Sequence, residues 1–330
     1  MKSYSFVFTA LAFAGVFSTA SVSANSQQDL QQLLDSRHWH RVCVNEASGL
    51  SLTLPRAAVR RALEQGAYLG YCARNGDKRK IGNGHMVAFE QRTPSGEPHA
   101  LGFRFSAATL HNLPMMPSDG ATCYDRNGDG QIDLHDHAEC VGGHALELNF
   151  ASTDHVLAPF KWGLINWNVH GHAPMGIYDQ PHFDFHFYTQ SFSARNLIRT
   201  GECGMLIHCD DFQRAIADVP FTQMPSGYAS VGAAEARMGN HLIDPSAPEF
   251  NGAPFTHTFI FGSYDGKLTF WEPMISLALL QQQPFFCAPI AQSASVAETG
   301  HYPQQYCVKY YSARQEYMVT LEDFAYRTAP

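Results

Sequence analysis

The chain has 330 residues, 45% of them hydrophobic, and a formal net charge of −8. That length allows a large core, in one β-rich domain or in one domain plus a small module. The charge is mildly acidic and no Lys/Arg cluster supplies a basic stripe, which argues against a nucleic-acid partner.

The first 24 residues read as a signal peptide. Lys2 is the positive start, Phe6 to Phe17 is apolar, and Val22-Ser23-Ala24 fits a small-residue cleavage site. No later stretch approaches the ~20 apolar residues of a membrane span. The expectation is therefore a periplasmic or secreted protein starting at Asn25, with no membrane span after cleavage. All eight cysteines follow that point: Cys43, Cys72, Cys123, Cys140, Cys203, Cys209, Cys287 and Cys307. An even count in an exported chain predicts disulfides, and nearest-neighbour pairing closes four local loops. A cysteine-rich zinc site is the rival, but no CxxC pair supports it.

Residues 25–80 read as a polar leader, loose or briefly helical, followed by a disulfide-stapled unit. Ser51 to Pro55 reads as a strand. Arg56 to Gln65 has a helical apolar pattern stopped by Gly66. The unit resembles a short secreted module of the form VC…LxVxxxAxxxHLxxGxxxGxC. Ala62, Gln65 and Ala67 replace its usual histidines and acid, so the resemblance implies shape and no binding property. Arg74 to Gly84 reads as a turn-rich linker. Residues 81–330 then form the main β-rich domain. Its expected strands are His85 to Phe89, Ala100 to Phe105 and Ala145 to Phe150, with a helical turn from Ala107 to Asn112.

At 123–140 the segment DRNGDGQIDLHD (125–136) matches a twelve-residue calcium loop. Asp125, Asn127 and Asp129 supply oxygens at positions 1, 3 and 5. Gly130 permits the turn, Gln131 offers its carbonyl, and Asp133 and Asp136 stand at positions 9 and 12. Asp136 is shorter than the usual Glu, and no strong helices flank the loop. It therefore reads as an isolated structural calcium site, with a solvated Asp/Gly turn as the simpler alternative.

Residues 167–188, WNVHGHAPMGIYDQPHFDFHFY, hold four of the seventeen histidines. From His182 to Tyr188 the residues alternate. In a strand this sets Phe183, Phe185 and Phe187 on one face and His182, Asp184, His186 and Tyr188 on the other. Residues two apart on a strand lie about 6.6 Å from each other and four apart about 13 Å. His170 with His172, and Asp184 with one histidine neighbour, are thus the chelating pairs. His182 and His186 cannot share an ion without a bulge. Further ligands are expected from His241, His257 or Glu272. Imidazole plus carboxylate suits zinc, copper, iron or manganese without choosing among them. The alternative is a buried His–Asp–Tyr hydrogen-bond network.

Downstream, Asp210 to Ala217 reads as a helix capped by Asp210 or Asp211. Thr256 to Met274 reads as a hairpin about Asp265-Gly266. A tight turn there pairs Phe261 with Phe270, Phe259 with Glu272 and His257 with Met274. Glu272 would then lie among Phe259, Phe261 and Phe270, where a carboxylate needs a partner. No GxSxG, HExxH or phosphate-cradling glycine loop is present, and no serine stands out as a nucleophile.

The motif HGHxPxGxYxxPHFDFHFY (His170 to Tyr188), with Met238-Gly239-x-His241 and Tyr264-Asp265-Gly266…Phe270-x-Glu272-Pro273-Met274, resembles a bacterial secreted domain family. That family is typified by a sigma-E-regulated thermophile protein and has no established function. The resemblance covers roughly Ile81 to Leu280 and implies no catalytic residues. The expected fold is mainly β (α+β): an antiparallel sandwich or barrel with short helices and the N-terminal module. The expected function is metal binding. A metalloenzyme (hydrolase or oxidoreductase) using the same ion, or a non-catalytic calcium-stabilised envelope or binding protein, are the alternatives.

Overall fold

A computed structural model describes residues 20–151 and 159–330. Most of the expected signal segment therefore lies outside the described residues, and helix α1 (Ala20–Asp35) begins within its last part. Among the described residues no helix is long and apolar enough to cross a membrane.

The module is a three-stranded antiparallel sheet, order β2-β1-β3, built from β1 (Trp39–Asn45), β2 (Leu50–Pro55) and β3 (Tyr68–Leu69), with α2 (Arg56–Glu64) beside it. Val59 of α2 packs with Leu34, Val42 and Ala67, and Cys43–Cys72 closes the unit. Glu46 ties it to the main body, accepting from Arg104 at 3.0 Å and from Arg314 at 3.1 Å.

The main body is a sandwich of two antiparallel sheets. The six-stranded sheet runs β15-β16-β17-β6-β5-β4, made of β4 (Arg74–Ile81), β5 (Gly84–Arg92), β6 (Pro98–Ser106), β15 (Phe285–Pro289), β16 (Gly300–Tyr311) and β17 (Glu316–Arg327). The seven-stranded sheet runs β11-β12-β13-β14-β9-β8-β7. Its members are β7 (His144–Leu148), β8 (Trp162–Asn168), β9 (His182–Tyr188), β11 (Ala229–Glu235), β12 (Gly239–Ile243), β13 (His257–Tyr264) and β14 (Lys267–Ser276). A short β10 (Thr200–Cys203) and helices α3 (Phe192–Asn196), α4 (Cys209–Ala215) and α5 (Leu277–Gln281) complete the connections.

The two sheets meet through phenylalanines. Phe103 of β6 lies 5.0 Å from Phe187 and 5.9 Å from Phe185, ring centre to ring centre, and Phe105 stacks on Phe185 at 6.2 Å. Gly163, paired with Phe187, leaves the space that the Phe103 ring enters. All four disulfides join nearest neighbours in sequence, and no free cysteine remains.

Three expectations need correction. Arg74 to Ile81 is not a linker but strand β4, paired with β5 at the edge of its sheet. Its lysines and arginines are what an exposed edge carries to discourage further pairing, and they give it the composition of a loop. The 256–274 hairpin has the expected turn, but a bulge between Gly262 and Ser263 shifts the register by one. Phe261 pairs with Trp271, Ile260 with Glu272, and His257 with Ile275. Phe259 and Phe261 therefore pack on Trp271 in the sandwich core, away from Glu272. Finally, α4 is capped by His208, whose ring accepts from the Asp210 amide, and by neither aspartate.

Candidate metal centre

β9 lies between β14 and β8, well inside the seven-stranded sheet. Its phenylalanines face the other sheet, so His182, Asp184 and His186 project from the outer face. They are nonetheless buried, at 0%, 4% and 1% exposure. Loop residues close over them and leave a cavity of about 80 Å³, lined in part by Ala173, Pro174, Tyr178, Met205 and Phe250. That space holds a few water molecules at most.

Neighbouring strands set further polar side chains around β9. The register places Asn166 opposite Asp184 and Asn168 opposite His182. Glu272 of β14 lies between the pairs Trp271–Phe187 and Met274–Asp184, hence across from His186. His241 of β12 pairs with Gly262, and Glu235 at the end of β11 lines the same cavity. The bare Gly262 lets the Phe270 ring lie across it, 4.9 Å from the His186 ring and 5.4 Å from that of His241.

Two ligand groups result. His172, His182 and Asp184 bring one donor atom each to within 4.8 Å of one another, and so do His186, His241 and Glu272. In the first, His182 Nε2 lies 3.1 Å from Asp184 Oδ1 and His172 Nε2 lies 3.5 Å from Oδ2. Asn168 donates to the same Oδ2 at 2.6 Å. In the second, His186 Nε2 lies 3.4 Å from Glu272 Oε1.

The backbone selects the ring tautomers. The Nδ1 of His182 meets the Gln180 carbonyl at 2.7 Å, that of His172 the Ala173 carbonyl at 2.8 Å, and that of His241 the Ala233 carbonyl at 2.9 Å. A carbonyl only accepts, so each Nδ1 carries a proton. In the neutral ring, Nε2 then presents a lone pair. This is how metal-binding histidines are usually oriented. Asp184 Oδ1, both His186 nitrogens, Glu235 Oε1, Glu272 Oε2 and Asn166 Oδ1 are buried with no hydrogen-bond partner among the described residues.

Burial governs the protonation of this face. It drives His186 down to about 3 and His241 down to about 4, so both rings are neutral at physiological pH. It raises Glu235 to about 7 and Glu272 well above the usual carboxylate range, with the charge of Asp184 adding to both shifts. Burial also opposes charge on His172, but the hydrogen bond and charge of Asp184 prevail and raise it to about 9. The His172 side chain itself stays 37% exposed. Burial raises Asp184 too, yet the adjacent histidines hold its carboxyl well below the ordinary range.

Not every expected ligand arrives. His170 is exposed and belongs to neither group, whereas His172 joins His182 and Asp184. The chain turns between His170 and His172 at Gly171, in the left-handed region at φ 71°, where a side chain would strike the Tyr178 carbonyl. His257 lies elsewhere, its Nδ1 2.7 Å from the Tyr306 hydroxyl. Asn166, Asn168 and Glu235 went unpredicted. The two asparagines follow the same two-residue alternation along β8 and were within reach of strand logic. Nothing local marks Glu235.

In the calcium-like loop, backbone amides occupy the side-chain oxygens. Asp125 accepts from Gly128 at 2.7 Å and Gly130 at 2.8 Å, Asn127 from Asp129 at 2.8 Å, and Asp129 from Gln131 at 2.8 Å. Asp133 accepts from His135 at 2.9 Å, and Asp136 from Ala138 at 2.7 Å. The bridge Cys123–Cys140 closes the loop, and Ile132 is 42% exposed rather than packed against a partner loop. Glu139 behind the loop is buried and takes the Asp133 amide on Oε2 at 2.9 Å, while its Oε1 has no partner among the described residues.

Fold and site together define a disulfide-linked antiparallel β-sandwich with buried His/carboxylate groupings compatible with metal binding. No family model, curated protein or solved structure matches the chain.

Proposed function

We propose that this is an exported metal-binding protein that holds a transition metal, such as zinc, copper, iron or manganese, on the outer face of its seven-stranded sheet. The observation that carries the reading is the contact between His182 Nε2 and Asp184 Oδ1 at 3.1 Å. With Nδ1 protonated by its bond to the Gln180 carbonyl, a neutral His182 ring and the Asp184 carboxylate face each other as two acceptors. Two lone pairs at that distance, buried, require a cation or a proton between them. The remaining unpartnered acceptors around the cavity extend the same requirement. The four disulfides support an oxidising compartment, hence export.

The test is elemental analysis of protein purified without chelators. Bound transition metal that falls sharply in His182→Ala supports the reading. Metal-free protein that takes up none of the four metals on titration sinks it, and leaves imidazolium–carboxylate pairs as the explanation. A structural calcium ion in the 123–140 loop is a second part of the proposal. Its support is the backbone fold around Asp125, Asn127 and Asp129 together with the free, buried oxygen of Glu139.

A further inference from the structure

We infer that the face binds two metal ions rather than one, and this rests on the metal-binding reading above. His172, His182 and Asp184 hold one ion, and His186, His241 and Glu272 hold the other. Glu235 is the additional carboxylate in their common cavity.

The first argument is reach. A metal–nitrogen or metal–oxygen bond is about 2.0–2.2 Å, so the ligand atoms of one ion lie within about 4.4 Å of each other. Each triad comes close to that limit, with all its donor atoms within 4.8 Å, but the two triads do not merge into one group. One ion would leave buried donor atoms of the other triad without a partner.

The second argument is the number of donors. Four imidazoles and three carboxylates face the cavity or its rim. A tetrahedral ion uses four ligands and an octahedral ion six, so one ion does not exhaust the set. Divided between two ions, each receives two imidazoles and one carboxylate. Glu235, with Oε1 unpartnered, remains for either or both. Each ion would then have three protein ligands and room for another.

The third argument is charge. Once bound metal has displaced their protons, Asp184, Glu235 and Glu272 put three negative charges in a buried space of about 80 Å³. One divalent cation leaves that space negative, whereas two leave a single positive charge that one hydroxide or small anion neutralises.

The test uses the mature chain with its disulfides intact, stripped with EDTA and titrated with Co²⁺. Calorimetry and the visible cobalt bands are followed together. Wild type should saturate at two equivalents, and His172→Gln and His241→Gln at one each. At two equivalents of Cu²⁺, electron paramagnetic resonance of wild type should show dipolar broadening between nearby ions. Saturation at one equivalent overturns the two-ion centre and leaves the metal-binding reading standing. Uptake of neither metal overturns both. Should either variant fail to fold, the wild-type stoichiometry decides alone.

Discussion

Lys309 and Glu322 show what a buried charge needs. The Lys309 ammonium donates to both oxygens of Glu322, at 2.6 and 2.8 Å, and Thr320 donates to one of them at 2.6 Å. Their side chains are 5% and 17% exposed. Burial pushes the Glu322 carboxyl up, but the charge and hydrogen bonds of Lys309 outweigh it and hold the group below its ordinary range. The folded value is thus lower than the unfolded one. The pair's contribution is complete above the ordinary glutamate range and disappears as pH falls through the depressed value. Lys309→Met strands the carboxylate and should cost about 3–5 kcal/mol in urea unfolding at pH 7. The loss should shrink toward pH 3, where protonation removes the stranded charge. A loss under about 1 kcal/mol with no pH dependence would show that the pair is not the buried unit described.

At the scale of elements, the calcium-like loop and strand β9 pose opposite problems. The loop is exposed and carries its own amide contacts, so its ion would add stability without being needed for the fold. For a site of ~10⁻⁴ M, 1 mM calcium contributes about 1.4 kcal/mol. Calcium should therefore raise the melting temperature by about 3 °C. Asp125→Ala should abolish the rise without altering secondary structure by circular dichroism. An equal rise in the variant would remove calcium from this loop. β9, by contrast, belongs wholly to the interior. Alternation alone separates its rings from its imidazoles, which made both faces readable before the fold was known.

For the whole molecule, one strand serves two purposes back to back. Phe185 is fully buried against Phe103 and Phe105, while its neighbours Asp184 and His186 build the polar face. Phe185→Ala should cost about 3–5 kcal/mol through the cavity it leaves. Because both triads hang from the same strand, the loss should also weaken metal uptake. Unfolding in denaturant and cobalt titration of the one variant would measure both. A stability loss with unchanged metal affinity would show that the polar face does not depend on the rings beneath it.

Much of this molecule was legible along the chain because its causes are local. Cysteines brought near by short loops pair with their neighbours, and a two-residue period separates the faces of β9 whatever packs around it. Other features depend on remote segments. The lysines of β4 look like a linker until β5 pairs with them, and the bulge at Gly262 moves Glu272 out of the aromatic core by one residue. The turn at Gly171 sends His170 to solvent and His172 to Asp184. Glu235 meets the histidines only because β11 and β12 extend the same sheet. Periodicity determined which side chains share a face, since that is a property of extended backbone alone. Which of them converge on one point is a question of register and cover, and those exist only once distant strands have paired.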